Sequence, residues 1–168
     1  FGSNGEGAFI HFSVEQLRNL GGFTYLHVPY NGVAPVLTDI ISGRIDATIT
    51  SFVSVQPYIN AGRLKLLAIG RATRSPKYPD FPTIAETLPG YENSGWFGFI
   101  GPAGMPREQV VLLNNEMNRA VMQPDVREKL DSYGLEILTE SPEFFANRIR
   151  QDMEKWGKVA RDIGFKPL

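Results

Sequence analysis

His27-Val28-Pro29-Tyr30-Asn31-Gly32-Val33-Ala34-Pro35 decides how this sequence folds. Its first residues are branched or aromatic, as in a strand. Asn31-Gly32 then supplies a tight elbow, and Val33 starts a helical pattern without any intervening linker. Such a junction points free backbone N–H groups and the positive end of a helix dipole at one spot, which suits an anion. Two junctions of the same kind flank it. Gly2-Ser3-Asn4-Gly5-Glu6-Gly7 precedes one helical pattern, and Thr50-Ser51-Phe52-Val53-Ser54 opens another.

Working outward, helical and strand patterns alternate. Residues 8–20 place Phe9, Phe12, Leu17 and Leu20 at roughly helical spacing, and Gly21-Gly22 ends the run. Strands are expected at 24–28, 47–50 and 64–69, with helices at 33–41 and 53–61. Pro57 is expected in the first turn of its helix or at a break. This βαβαβ rhythm predicts a parallel sheet covered by helices. Residues 71–90 hold four prolines and read as loop, except for a short helix at 84–88 with Thr83 as N-cap and Glu86 completing a capping box. Another strand is expected at 96–100. Beyond it the pattern is helical. Val110, Leu113, Met117 and Val121 form one apolar face, a second helix spans 125–133, and Ser141 caps a long last helix with Phe144, Phe145, Ile149, Met153 and Trp156 on its inner side. A short strand at 135–138 is also possible by pattern.

Composition narrows the function. The 168 residues are 42% hydrophobic and 21% charged, ordinary for a globular chain able to bury a core. A net charge of −1 gives no footing for nucleic acid, and no polybasic cluster or long apolar run points to a membrane. With no cysteine there is no disulfide and no thiol catalysis. The opening Phe1-Gly2-Ser3-Asn4-Gly5 reads as the end of a strand and the loop after it, so the expectation is a piece whose earlier residues are missing.

In an open parallel sheet, ligands sit beyond the carboxyl ends of the strands. The three elbows all follow strands, so they are expected to gather there. The first offers glycine backbone with Ser3 and Asn4. The second offers the amides near Gly32 to Ala34, with Tyr30 as a hydroxyl donor or a wall. The third offers the hydroxyls of Thr50 and Ser51, which would equally serve as plain helix caps. Catalytic patterns are weaker. His11 and His27 read as structural, and no Gly-x-Ser-x-Gly elbow, metal spacing or Walker lysine occurs. Asp39, Asp46, Glu86 and Glu116 form no pairing that spacing alone would make catalytic, and Glu116 with Arg119 reads as a solvated helix face.

Further stretches extend the pattern. Asp39-x-x-Ser42-Gly43-Arg44-Ile45-Asp46, Pro57-Tyr58-Ile59-x-Ala61-Gly62-Arg63-Leu64-Lys65, Arg74-Ser75-Pro76, Pro82-Thr83-Ile84-Ala85-Glu86, Pro89-Gly90-Tyr91-Glu92, Trp96-Phe97-Gly98, Gly101-Pro102-Ala103-Gly104 and Pro124-Asp125-Val126-Arg127 join the opening motif. Together they make the chain resemble, over essentially its whole length, the Bug or TctC-like extracytoplasmic solute receptors of tripartite tricarboxylate transporters. The resemblance implies an α/β, periplasmic-binding-protein-like fold of the Venus-flytrap type. Residues 1–95 would form the ligand-binding lobe (domain two of the family), and residues 96–168 would cross over and complete domain one, whose N-terminal part is missing here. It implies a periplasmic receptor, not an enzyme, that needs no cofactor or metal, holds a small carboxylate and hands it to permease subunits without itself entering the membrane. With half of the cleft absent, the chain alone is expected to bind weakly or not at all. Carried over position by position, the ligand residues are Ser3, Asn4, Gly5 and Gly7, then Tyr30, Asn31, Gly32 and Ala34, then Thr50 and Ser51. Many relatives carry an acid or amide where this chain has Thr50 and Ser51, a departure that favours a plain acid over an amino acid. A sensor that shows its ligand to a signalling partner, and an enzyme on the same scaffold, are the alternatives.

Overall fold

Strand pairing is the most economical part of this molecule. The computed structural model describes residues 1–165. Strand β1 (Gly2–Ser3) pairs in parallel with β2 (Val28–Pro29), Gly2 opposite Val28 and Ser3 opposite Pro29. On its other side Gly2 forms a parallel bridge with Thr48, and its N–H donates to the Ala47 carbonyl. Three parallel segments therefore lie side by side with β1 in the middle. Helices follow each: α1 (Phe9–Gly21), α2 (Val33–Ile41) and α3 (Phe52–Asn60). The fold class is α/β, as the sequence rhythm requires.

The chain divides into two compact units. One comprises Phe1–Gly95 with Lys158–Leu168, the other Trp96–Gly157. In the first, the core is built from Ile10 and Val14 of α1, Val36 and Leu37 of α2, Ile45, Val55 and Tyr91. Gly2 is glycine because the core presses on it: a Cβ there would lie 2.5 Å from Ile45 Cδ1 and 2.9 Å from Val36 Cγ1. Tyr91 is fully buried, and its hydroxyl donates to the Ser13 carbonyl of α1. Thr83 and Glu86 form the expected capping box, with both reciprocal bonds present. Arg74 adds a two-point grip on the Glu86 carboxylate, and together with the bond from the Thr83 N–H this holds it well below the usual carboxylate range, at about 2.

The second unit holds α4 (Arg107–Val121), α5 (Pro124–Ser132) and most of α6 (Pro142–Asp162). Neither α4 nor α5 buries a residue fully. The Trp96 indole stands edge-on to Phe145, and its N–H donates to Asp152 at 2.6 Å. Arg119 and Glu116 lie 3.8 Å apart on an exposed face, as their spacing suggested.

Several expectations need correction. Of residues 24–28 only Val28 is strand, because β1 offers a two-residue ladder. Residues 47–50 contribute one bridge, at Thr48, and residues 64–69 one, from Ile69 to Thr83. Residues 96–100 and 135–138 form no ladder, and Phe97, Phe99, Ile100 and Leu138 stand exposed. An extended apolar run becomes a strand only beside a partner that takes its backbone hydrogen bonds. On α1 the deep face is Ile10 and Val14, while Phe9 and Leu20 are partly exposed. On the later helices Leu113, Met117, Phe144 and Met153 are exposed too. The 84–88 helix is a single tight turn, Ile84–Glu86, because Thr87 and Leu88 both donate to the Ile84 carbonyl and Pro89 follows. Pro57 lies inside α3, where its missing N–H leaves the Val53 carbonyl without its usual helical donor.

Candidate functional site

The parallel register sets the site. Because β1, β2 and the Thr48 segment run the same way, the residues after each emerge on one edge. The first and second elbows touch directly. The Tyr30 N–H donates to the Ser3 carbonyl at 3.0 Å, and the Tyr30 carbonyl lies 3.9 Å from where a Gly5 Cβ would be. Thr48 ties the third segment to the first by donating its hydroxyl to the Gly2 carbonyl at 2.9 Å, two residues before Thr50.

Each elbow feeds a helix whose first turn carries no side-chain cap. Gly32 precedes α2 at φ 102° and ψ 178°, a conformation essentially reserved for glycine. Val33 and Ala34 then present N–H groups with no intrahelical acceptor, and Pro35 has none to present. Ser51 precedes α3, but its hydroxyl pairs with Ser54 at 2.7 Å instead of capping the backbone. Asn4, between β1 and Gly5, has a buried Oδ1 without a protein partner.

Other predicted residues shape the loops from within. Ser3 is buried; its hydroxyl donates to the Gly5 carbonyl at 3.0 Å and accepts the Gly5 N–H at 3.3 Å. The Gly7 N–H donates to His11 Nδ1 at 3.0 Å. The Tyr30 hydroxyl donates to Asp39 at 2.9 Å, and Arg44 holds the other carboxylate oxygen at 3.0 Å. Burial, then that bond, raises the Tyr30 hydroxyl above its ordinary range. The Tyr30 hydroxyl is thus engaged within the protein. Asn31 is exposed beside it.

Sequence reasoning did not foresee what lies under the first loop. His11 and His27 stack with centroids 4.0 Å apart and planes 8° from parallel. His27 Nε2 is 2.6 Å from the Ser3 hydroxyl. Burial, then the neighbouring His11, lowers the His27 basicity. Glu15, buried on the same helix, receives Tyr25 at 2.6 Å and Arg18 at 2.8 Å. A cleft of about 680 Å³ opens over this group, lined by Glu6, Arg18, Tyr25, the two histidines and Phe165 among others. The i, i+4 spacing of Gly7 and His11 was the one local signal available.

Among the described residues no cluster of three metal-ligating side chains occurs, and no helix is long and apolar enough to cross a membrane. Uncapped helix starts gathered at the carboxyl edge of a parallel sheet define an α/β unit suited to a small anion. The particular family follows from comparison. Residues 1–165 match the model of the tripartite tricarboxylate transporter family receptor, TctC, and the chain belongs to that family. A UPF0065 protein from the tcbD-tcbE intergenic region of Pseudomonas sp. strain P51 is 38% identical over 95% of this chain and 48% of its own length. BugT of Bordetella pertussis is 30% identical over 99% of this chain and 51% of its own. The chain thus spans about half the length of both relatives. A solved structure, R. palustris Rpa4515 with adipate, superposes with a TM-score of 0.87 at 34% identity, covering 100% of this chain and 56% of that one.

Proposed function

We propose that this chain is the ligand-gripping part of a periplasmic solute-binding receptor that captures a small dicarboxylate and delivers it to a tripartite tricarboxylate transporter. The observation that carries the reading is the convergence of three elbows, with uncapped helix starts, on one sheet edge. A carboxylate is the natural occupant, because backbone N–H groups and helix dipoles reward negative charge without needing a cation. The family membership and the adipate in the similar receptor agree with that chemistry.

In this reading Asn4, Asn31, Gly32, Ala34, Thr50 and Ser51 face the ligand. Ser3, Gly5, Gly7 and Tyr30 hold the loops in shape. Hydroxyls at 50 and 51 suit a plain acid, since a bound amine would ask for a carboxylate there. Residues 1–95, with the end of α6 packed on them, act as the ligand lobe, and residues 96–157 serve to complete the receptor's other domain.

A few backbone hydrogen bonds to the carboxylates, at about 1–2 kcal/mol each, leave the chain alone near the millimolar range, roughly 4 kcal/mol. A thermal-shift screen with mono-, di- and tricarboxylic acids at millimolar concentration tests the reading. Dicarboxylates are expected to raise the melting temperature, and their diamides to leave it unchanged. A diamide stabilising as well as its acid, or turnover of any acid, would overturn it.

A further inference from the structure

We propose that His11 and His27 are positioning residues for the first ligand loop, anchoring it only while His11 is neutral and so making ligand affinity fall in acid. The inference rests on the receptor reading above. It starts from two bonds. The Gly7 N–H needs a lone pair on His11 Nδ1, which it meets at 3.0 Å. The proton of neutral His11 therefore sits on Nε2, 3.8 Å from Glu15. At the other end of the loop, the Ser3 hydroxyl already donates to the Gly5 carbonyl, so His27 donates its Nε2–H to Ser3 at 2.6 Å. Asn4 lies between the two anchored residues.

Protonation acts unequally on the pair. A second proton on His11 must go to Nδ1, where it faces the Gly7 N–H and replaces a hydrogen bond with two opposed donors. A second proton on His27 goes to Nδ1 and spares the Ser3 bond, but it puts a charge 4.0 Å from the other ring. Gly7 sits at φ 71° with the Phe165 ring filling the space where a Cβ would be, so the first loop meets α1 at a position that only glycine fits.

The charged and titratable groups around the pair are Glu15 and Arg18 on α1, Glu6 on the loop, Tyr25 on the segment before β2, and beyond it the Phe1 amino group. Glu15 is already engaged by Arg18 and Tyr25. Lys158 and Asp162 of α6 pair with each other at 2.8 Å.

The test follows the Gly7 amide by ¹⁵N NMR between about pH 8 and pH 5, where histidines titrate, in the wild type, His11→Asn and His27→Gln. Adipate binding is measured at both ends. In the wild type the Gly7 amide is expected to move upfield and exchange faster as the pH falls, and adipate affinity to drop roughly fivefold, the worth of one hydrogen bond. His11→Asn, whose Oδ1 replaces Nδ1 as acceptor but cannot titrate, should keep the Gly7 bond at both pH values. It also reports any change due to the ionisation of adipate itself. His27→Gln should preserve the Ser3 contact and leave the Gly7 bond in place at the alkaline end. A Gly7 amide that does not respond to pH, or a His11→Asn variant with the wild-type pH profile, would overturn the proposal. A Gly7 amide that titrates as described while no acid binds keeps the histidine anchor and overturns the receptor reading instead.

Discussion

Gly32→Ala isolates the elbow that begins α2. At this position φ is 102° and ψ 178°, and a Cβ would find nothing within 4 Å. The cost of the substitution is therefore conformational and not steric. That region of backbone space costs a non-glycine residue about 1–3 kcal/mol. Alanine also stiffens the unfolded chain, which returns about 0.4–1 kcal/mol. The net expectation is a loss of about 1–2 kcal/mol. Gly62→Ala is the matched control. Gly62 sits at φ 67°, again with open space, but after α3 and away from the elbows. A left-handed residue costs about 1–2 kcal/mol, so the net loss there is about 1 kcal/mol or less after the same return. Urea unfolding followed by circular dichroism reads both, as a shift in midpoint at constant slope. Binding separates them further. If alanine relaxes toward ordinary φ, the Val33 and Ala34 amides turn away from the sheet edge, and adipate affinity falls in Gly32→Ala while Gly62→Ala keeps it. A Gly32→Ala protein with the wild-type midpoint would refute the backbone argument. One that is destabilised yet binds adipate normally would remove α2 from the site.

Three further outcomes follow from the packing. Tyr91→Phe removes a buried hydroxyl that bonds the Ser13 carbonyl at 3.2 Å, and should cost about 1 kcal/mol in urea unfolding. Glu86→Gln should matter only where Glu86 is ionised: its folded carboxyl is lowered to about 2, so its stabilisation is complete above the unfolded carboxylate range and fades as pH falls toward that value. Wild type and variant should therefore converge in midpoint at the acid end of a pH series. His27 has a lowered basicity, so the unfolded chain binds its proton first. Its effect on stability should be absent above about pH 6.5 and grow as a loss on acidification below it, a slope that His27→Gln should flatten.

What was legible in the sequence follows the range of the forces involved. Helix α2 begins at Val33 and ends at Ile41 as its local pattern requires, since start and stop signals lie within a turn of each end. The Thr83–Glu86 capping box is equally local. The elbows at Gly32 and Ser51 were visible because glycine and hydroxyl residues interrupt apolar runs. Strand extent was not visible. Leu64 to Ile69 has the composition of a strand, yet only Ile69 finds a bridge, because a ladder depends on a distant partner. The roles of Tyr30 and Gly7 were hidden for the same reason. Nothing near Tyr30 in sequence announces that its hydroxyl will go to Asp39, or that Arg44 will hold that carboxylate. The stacking of His11 on His27 depends on α1 meeting the segment just before β2, sixteen residues further on, which no local pattern encodes.

The most direct measurement is an adipate titration of ¹⁵N-labelled protein at neutral pH, followed at every backbone amide. The account predicts saturable shifts, with one dissociation constant, at Asn4, at Val33 and Ala34, and at Phe52 and Val53, where the three chain reversals meet. Saturable shifts confined to other surfaces, with these five amides unmoved, would contradict it.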